Sequence, residues 1–224
     1  MPLEFEHDMN CSYLDKQYMM GDKLLAAPIF NDEGTALYYL PEGTWTNYLT
    51  GETAEGGHWR KEHHDYCSIP LWVRENSIVP VQKNPQRAVA PYAENLELKV
   101  YALKDQAETT VYQDNKEILH AVFNWEECDQ AETSQMRGIQ TDAGQMNVSQ
   151  TRENQAKMNQ AETIHVNLTG TQGCSIRFVN CILKSVEGGS MELDGQDTIV
   201  KVSDMKENGV KLICTSMSQT CSRM

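Results

Sequence analysis

Turn-forming residues interrupt this chain at short, regular intervals, and the runs between them read as strands. Ala36 to Leu40, Thr44 to Leu49, Cys67 to Val73 and Ser77 to Val81 follow a turn-rich Asn31 to Gly34 and are punctuated by Pro41-Glu42-Gly43 and by the Thr50 to Gly57 stretch. Proline presets φ for a turn and glycine supplies the positive φ that other residues resist. Short apolar runs with such punctuation imply antiparallel sandwiches. The opening stretch reads differently. Asp15 can cap a short helix whose Leu14, Tyr18 and Met19 share one face, and Gly21 would stop it in the left-handed region. Leu24 to Phe30 is a continuous apolar run, the mark of a strand covered on both sides.

All seven prolines stand at or before position 91. That shift in composition, with the extended Asn84 to Pro91 segment, predicts a linker and a second domain. The second domain opens on the alternation Leu96-Glu97-Leu98-Lys99-Val100-Tyr101. Further strand runs follow at Thr109 to Tyr112, Ile118 to Phe123, Ile164 to Leu168, Cys174 to Val179, Ile182 to Val186, Thr198 to Val202 and Val210 to Cys214. Gln113 to Lys116, Gly188-Gly189 and Asp194-Gly195 supply turns. Between them, from about residue 126 to 160, glutamine recurs every fifth position, from Gln130 to Gln160. A period of five suits neither helix nor strand, so this segment reads as an inserted flexible loop. Copies of Gln-Ala-Glu-Thr start at Gln130 and Gln160, with a third at Gln106.

With 224 residues the chain has room for one large or two small domains. Its formal charge of −13 argues against nucleic acid and anionic membrane surfaces, which need Lys and Arg. No run approaches the roughly 20 apolar residues of a membrane helix. The opening shows no basic-then-apolar signal, an absence of little weight because Met1 is not expected to be the true start; a cytoplasmic location is the expectation. Seven cysteines, an odd number lying mostly in apolar strand patterns, read as reduced structural thiols. Three Asn-x-Ser/Thr triplets stand at Asn10, Asn147 and Asn167. His58, His63 and His64 crowd a charged segment. Adjacent residues of a strand point to opposite sides, so a solvated strand fits them better than a metal site. Tyr38, Tyr39, Trp45, Tyr48, Trp59 and Trp72 read as core and interface aromatics, with stacking on sugars as the alternative.

One series of motifs points to a family. Leu3-Glu4-Phe5, Gln17-Tyr18-Met19-Met20-Gly21-Asp22, Ala27-Pro28, Tyr39-Leu40-Pro41-Glu42-Gly43-Thr44-Trp45 and Ile69-Pro70-Leu71-Trp72-Val73-Arg74-Glu75-Asn76-Ser77-Ile78-Val79-Pro80 occur in order. Together they resemble the C-terminal part of glycoside hydrolase family 31, most like its bacterial-type α-xylosidases. The resemblance implies a mainly β chain, with two consecutive antiparallel β-sandwich domains behind a remnant of a (β/α)8 barrel. Residues 1–30 would carry the barrel's last strand, at Met1 to Phe5, and a helix. Residues 31–84 would be a proximal sandwich, 85–95 a linker and 96–224 a distal sandwich bearing the insert. Glu4, His7 and Asp8 would then lie near an active-site rim, with ordinary strand-end and loop polar residues the favoured alternative, and Glu6 and His7 depart from the family pattern.

The resemblance also implies a retaining α-glycosidase, acting on terminal α-linked xylose or glucose of oligosaccharides. Retention needs two carboxylates about 5 Å apart, one a nucleophile and one an acid and base. In this family both are aspartates on barrel strands upstream of the resembling segment, and no matching motif stands here. No catalytic residue is assigned, and the segment is expected to be inactive alone. Glu126-Glu127 and the Asp114, Glu117 pair fall in loops with no pocket to shift a pKa. No cofactor-binding or metal-binding residue is assigned, because glycine-rich phosphate loops, Cys-x-x-Cys and Gly-x-Ser-x-Gly are absent. The expected partner is an oligosaccharide, met through the barrel, with a homo-oligomer of the full-length enzyme left open. The alternative is a free-standing carbohydrate-binding or interaction sandwich.

Overall fold

The computed structural model describes residues 1–83, 95–127, 162–170, 173–202 and 210–216. In chain order the strands are β1 (Tyr18–Met20), β2 (Leu24–Ala26), β3 (Thr35–Leu40), β4 (Thr44–Asn47), β5 (Thr53–Glu55), β6 (His58–His63), β7 (Leu71–Arg74) and β8 (Ser77–Gln82). They continue as β9 (Leu96–Tyr101), β10 (Gln106–Gln113), β11 (Lys116–Glu127), β12 (Glu162–Gly170), β13 (Ser175–Val179), β14 (Leu183–Glu187), β15 (Ser190–Asp194), β16 (Asp197–Lys201) and β17 (Val210–Ser216). A 3-10 turn at Met9–Tyr13 is the only helical element among the described residues. No helix there is long and apolar enough to cross a membrane.

The first unit sets a sheet ordered β1-β2-β7-β4-β5 beside the two-stranded ribbon β3-β6. Its core is Leu25, Ala27, Ala36, Tyr38, Leu40, Trp45 and Trp72. Both tryptophans are fully buried, and each finds a partner for its N–H, as a buried indole must. Trp45 Nε1 donates to the Pro41 carbonyl at 2.8 Å, and Trp72 Nε1 to the Tyr38 hydroxyl at 2.9 Å.

The second unit stacks β10-β11-β12-β17-β14 on β15-β16-β13-β9-β8. Side chains of both sheets meet in one core, with Phe123 edge-on to Phe178 at 6.0 Å between centroids. One pairing here is parallel, β9 with β13, while the other pairings among the described strands are antiparallel.

Several expectations are corrected. Met1 to Phe5 is not a strand: the Glu4 and Phe5 amides both turn back to the Met1 carbonyl. A parallel barrel strand needs a neighbour to accept its backbone bonds, and this segment pairs with none of the described strands. Nor is there a helix at Asp15 to Met20. The chain forms the β1-β2 hairpin instead, with Tyr18 opposite Ala26 and Met20 opposite Leu24. Gly21 does take a positive φ of 67°, but it turns a hairpin. The apolar run after it is strand only over Leu24–Ala26.

The expected proximal unit ran to residue 84, yet its last strand, β8, pairs with β9 and delivers Ile78 to the second core. The switch happens at Glu75-Asn76, where Asn76 adopts φ 53°, a left-handed conformation that asparagine tolerates. Cys181 is disulfide-bonded, against the expectation of reduced thiols throughout. Cys11, Cys67, Cys174 and Cys214 are free. Burial pushes the Cys174 thiol up to about 11 and Cys214 to about 12, so both stay protonated and inert. The linker up to residue 94, the body of the insert, Asn147, Cys128 and Cys221 lie outside the described residues.

Polar contacts tie the units together. The Asn76 side-chain oxygen accepts from the Lys104 amide at 2.6 Å and the Asp105 amide at 3.2 Å. Glu75 Oε2 accepts from the Thr44 amide at 3.0 Å and from Lys104 Nζ at 2.8 Å. Burial alone would raise the Glu75 pKa, but Lys104 and the Thr44 donors outweigh it and hold it below the usual glutamate value. Glu62 is likewise depressed, its burial outweighed by hydrogen bonds from Tyr38 and Arg60. A depressed folded-state pKa adds stability that is present above the unfolded value and lost as pH falls through the folded one. Thermal stability is therefore expected to hold down to the ordinary glutamate range and drop below it. Glu75→Gln should lower the melting temperature at neutral pH and flatten the acid limb. Parallel acid limbs in variant and wild type would contradict this.

Candidate functional site

The N-terminal seventeen residues are strapped across the first unit. Gln17, 6% exposed, pairs with the backbone of β3: its amide nitrogen donates to the Tyr39 carbonyl and its oxygen accepts the Tyr39 N–H, both at 2.7 Å. The side chain thus stands in for a neighbouring strand. Phe5 packs on Trp45 at 6.2 Å between centroids, and the Arg74 guanidinium lies 5.0 Å from the Phe5 ring centroid. Asp8 ends the strap by accepting the Asn10 amide at the start of the 3-10 turn. Nothing in the periodicity of the sequence signals the Gln17 clamp, because its partner is a backbone edge made by residues twenty-two positions away.

The strap and β3 enclose an open cleft of about 620 Å³, lined by Glu4, Glu6, His7, Asp8, Glu42 and Arg74 among others. Glu4, His7 and Asp8, neighbours in sequence, all line this cleft. His7 pairs with Glu6 at 3.3 Å, both fully in solvent. Glu4 is exposed and Asp8 half-buried, so neither sits in the dry surroundings that tune a catalytic acid.

Two of the three histidines are solvated. His58 and His63 are exposed at the ends of β6. His64 turns inward to Glu62 Oε2 and Ser68 Oγ, each at 3.3 Å. Glu126 and Glu127 prolong β11, with Glu126 paired to His165 at 3.3 Å. Asp114 sits in the β10-β11 turn at φ 51°, and Glu117 just beyond it is exposed. Of the aromatics weighed for sugar stacking, Trp45 and Trp72 are sealed in the core, while Trp59 is 51% exposed and leans on Tyr39 at 5.6 Å.

The first thirty residues also carry large apolar side chains in solvent. Leu3 is 96% exposed, Tyr13 82%, Met9 73% and Phe30 71%, and Tyr18 and Met20 show the same face of β1.

Residues 1–79 match the family described as glycosyl hydrolase family 31 C-terminal domain. The α-xylosidase XylQ of Lactiplantibacillus pentosus is 39% identical over 108 residues, covering 47% of this chain and 14% of that protein. An α-xylosidase of Emericella nidulans is 35% identical over 108 residues, again covering 14% of its length. Among solved structures, the cycloalternan-forming enzyme from Listeria monocytogenes aligns with 96% of this chain and 20% of its own, at a TM-score of 0.69 and 19% identity. That last likeness establishes the fold alone, and extends it over the second sandwich. The chain thus spans about a seventh of the length of these two curated relatives. Residues 1–79 thus match the C-terminal domain of glycosyl hydrolase family 31, and the chain is similar to α-xylosidases over about half its length.

Proposed function

We propose that this chain is the accessory scaffold of a retaining α-glycosidase that removes terminal α-linked xylose or glucose from oligosaccharides. In this reading the two sandwiches brace a catalytic barrel and supply no catalytic carboxylate of their own. The observation that carries it is the apolar first thirty residues, exposed along the very segment that opens the family match. A barrel seated there would cover Leu3, Tyr13 and Phe30. The similarity to two α-xylosidases supports the choice of sugar.

The assay is direct. The chain alone is expected to give no turnover of p-nitrophenyl α-xyloside or α-glucoside above a heat-denatured control. Joined behind the barrel of a family 31 α-xylosidase stripped of its own C-terminal part, it should restore a folded, active enzyme. Turnover by the chain alone, or a fusion that stays inactive and aggregated, would overturn the reading. A second reading, a free-standing sugar-binding module, is favoured by one feature, the half-exposed Trp59 on Tyr39. It requires binding that Trp59→Ala abolishes.

A further inference from the structure

A second cleft lies away from the strap, between the loop after β4 and the sheet formed by β15, β16, β13, β9 and β8. Its volume is about 400 Å³. Tyr48, Lys99, Arg177, Asn180, Asp194 and Asp197 line it. We propose that this cleft binds a saccharide unit.

The lining is held in place before any ligand arrives. Arg177 Nη1 donates to Asp194 Oδ2 at 2.8 Å and to Asp197 Oδ2 at 3.0 Å, while its Nε donates to Glu97 Oε1 at 3.2 Å. Glu97, 5% exposed, forms the floor. Its other oxygen makes no hydrogen bond, and the Lys83 ammonium stands 3.5 Å from it as a long ion pair. Asp197 Oδ1 accepts the Asn180 amide at 2.9 Å, and Asn180 Nδ2 donates to the Gly51 carbonyl at 2.7 Å. That last bond fixes the loop wall to the sheet wall. Tyr48 supplies an aromatic side, with Tyr101 at 6.5 Å between centroids and Lys99 Nζ 5.0 Å from the Tyr48 centroid.

The chemistry selects the ligand class. In the lining Lys99 and Arg177 face Glu97, Asp194 and Asp197, and Lys83, outside the lining but 3.5 Å from Glu97, offsets the third carboxylate, so the site carries no net charge to draw an anion or a cation. Fixed donors and acceptors beside an aromatic ring suit a neutral polyol with an apolar C–H face, which describes a pyranose. A volume within the roughly 300–1,000 Å³ of ligand pockets admits one or two sugar rings. The proposal rests on the function above only in the choice of sugars to try.

The test is a titration of the full chain, followed by amide chemical shifts, with D-xylose, D-glucose and isomaltose, and with sulfate and calcium chloride as charged probes. At least one sugar should give saturable shifts at Tyr48 to Gly51 and Asp194 to Asp197, and the salts none. Asp194, 61% exposed, can be changed without unfolding the chain. Asp194→Ala should weaken binding at least about tenfold at unchanged melting temperature. Lys99→Met should do the same, and Trp59→Ala should leave binding intact. No saturable response to any sugar, a response that survives both cleft variants, or one that vanishes in Trp59→Ala overturns the proposal. None of these results bears on the α-xyloside assay, so the two readings fail separately.

Discussion

Gly56→Ala is expected to unfold the first unit at a temperature where Gly21→Ala leaves it folded. Gly21 and Gly57 have positive φ, 67° and 84°, so alanine there carries the usual left-handed strain of about 1 kcal/mol. Gly56 needs no such φ, yet it is the tightest position. A Cβ built on it would stand 1.7 Å from the Pro41 carbonyl oxygen and 3.0 Å from Trp45 Nε1. Both of those atoms are already engaged with each other at 2.8 Å. The neighbouring backbone has no slack either. Gly56 N donates to the Gly43 carbonyl and Gly57 N to the Leu40 carbonyl, each at 2.8 Å. To admit one methyl, the β5-β6 connection must lift off the β3-β4 turn. That breaks these bonds and opens Trp45, now fully enclosed, to water. The combined loss should be about 3 kcal/mol or more, against about 1 kcal/mol for Gly21→Ala, whose Cβ would meet nothing within 4 Å. Thermal unfolding followed by tryptophan fluorescence ranks the two. A Gly56→Ala chain as stable as Gly21→Ala would mean that the turn is not packed as described.

Sequence patterns exposed the strands wherever burial was one-sided. The β10 and β11 runs around the 113–116 turn alternate in sequence and pair as a hairpin in the structure. Pattern misled where two structures share one signature. A short segment with glycine at its end can be a helix with its stop or one arm of a hairpin. Period two decides it here: Met19 packs on the core while Tyr18 and Met20 face out. β15 was missed because all five of its residues are exposed, so only backbone bonds to β16 define it. Leu96 to Tyr101 promised a solvent face at Glu97, and Glu97 is buried instead. The side chain that covers it, Arg177, comes from β13 eighty residues later, and no local window contains both. The family resemblance reached the first unit through its motifs. The cleft around Arg177 lies mostly beyond residue 79, where those motifs and the family match both stop.

Arg177→Met should be the most damaging single charge removal in the second unit. The guanidinium is 17% exposed and bonds to three carboxylates at once. Burial would lower its pKa, but the hydrogen bonds to Asp194 and Asp197 and the charge of Glu97 raise it, so it stays charged throughout. Without it, Asp194 relaxes into water at little cost, being 61% exposed. Glu97 cannot. At 5% exposure, with one oxygen already lacking a hydrogen bond, it would keep only Lys83 at 3.5 Å. A buried carboxylate stripped of its partner costs about 3–5 kcal/mol. Replacing both partners by apolar groups removes the uncompensated charge along with the pair. Arg177→Met with Glu97→Met should therefore be more stable than Arg177→Met alone, by about 2 kcal/mol. Urea titration of the wild type, the two single variants and the double variant closes the cycle. If the double variant merely sums the losses of the singles, Glu97 is not held by Arg177, and the floor of the cleft is not the preset charge network that sugar binding there requires.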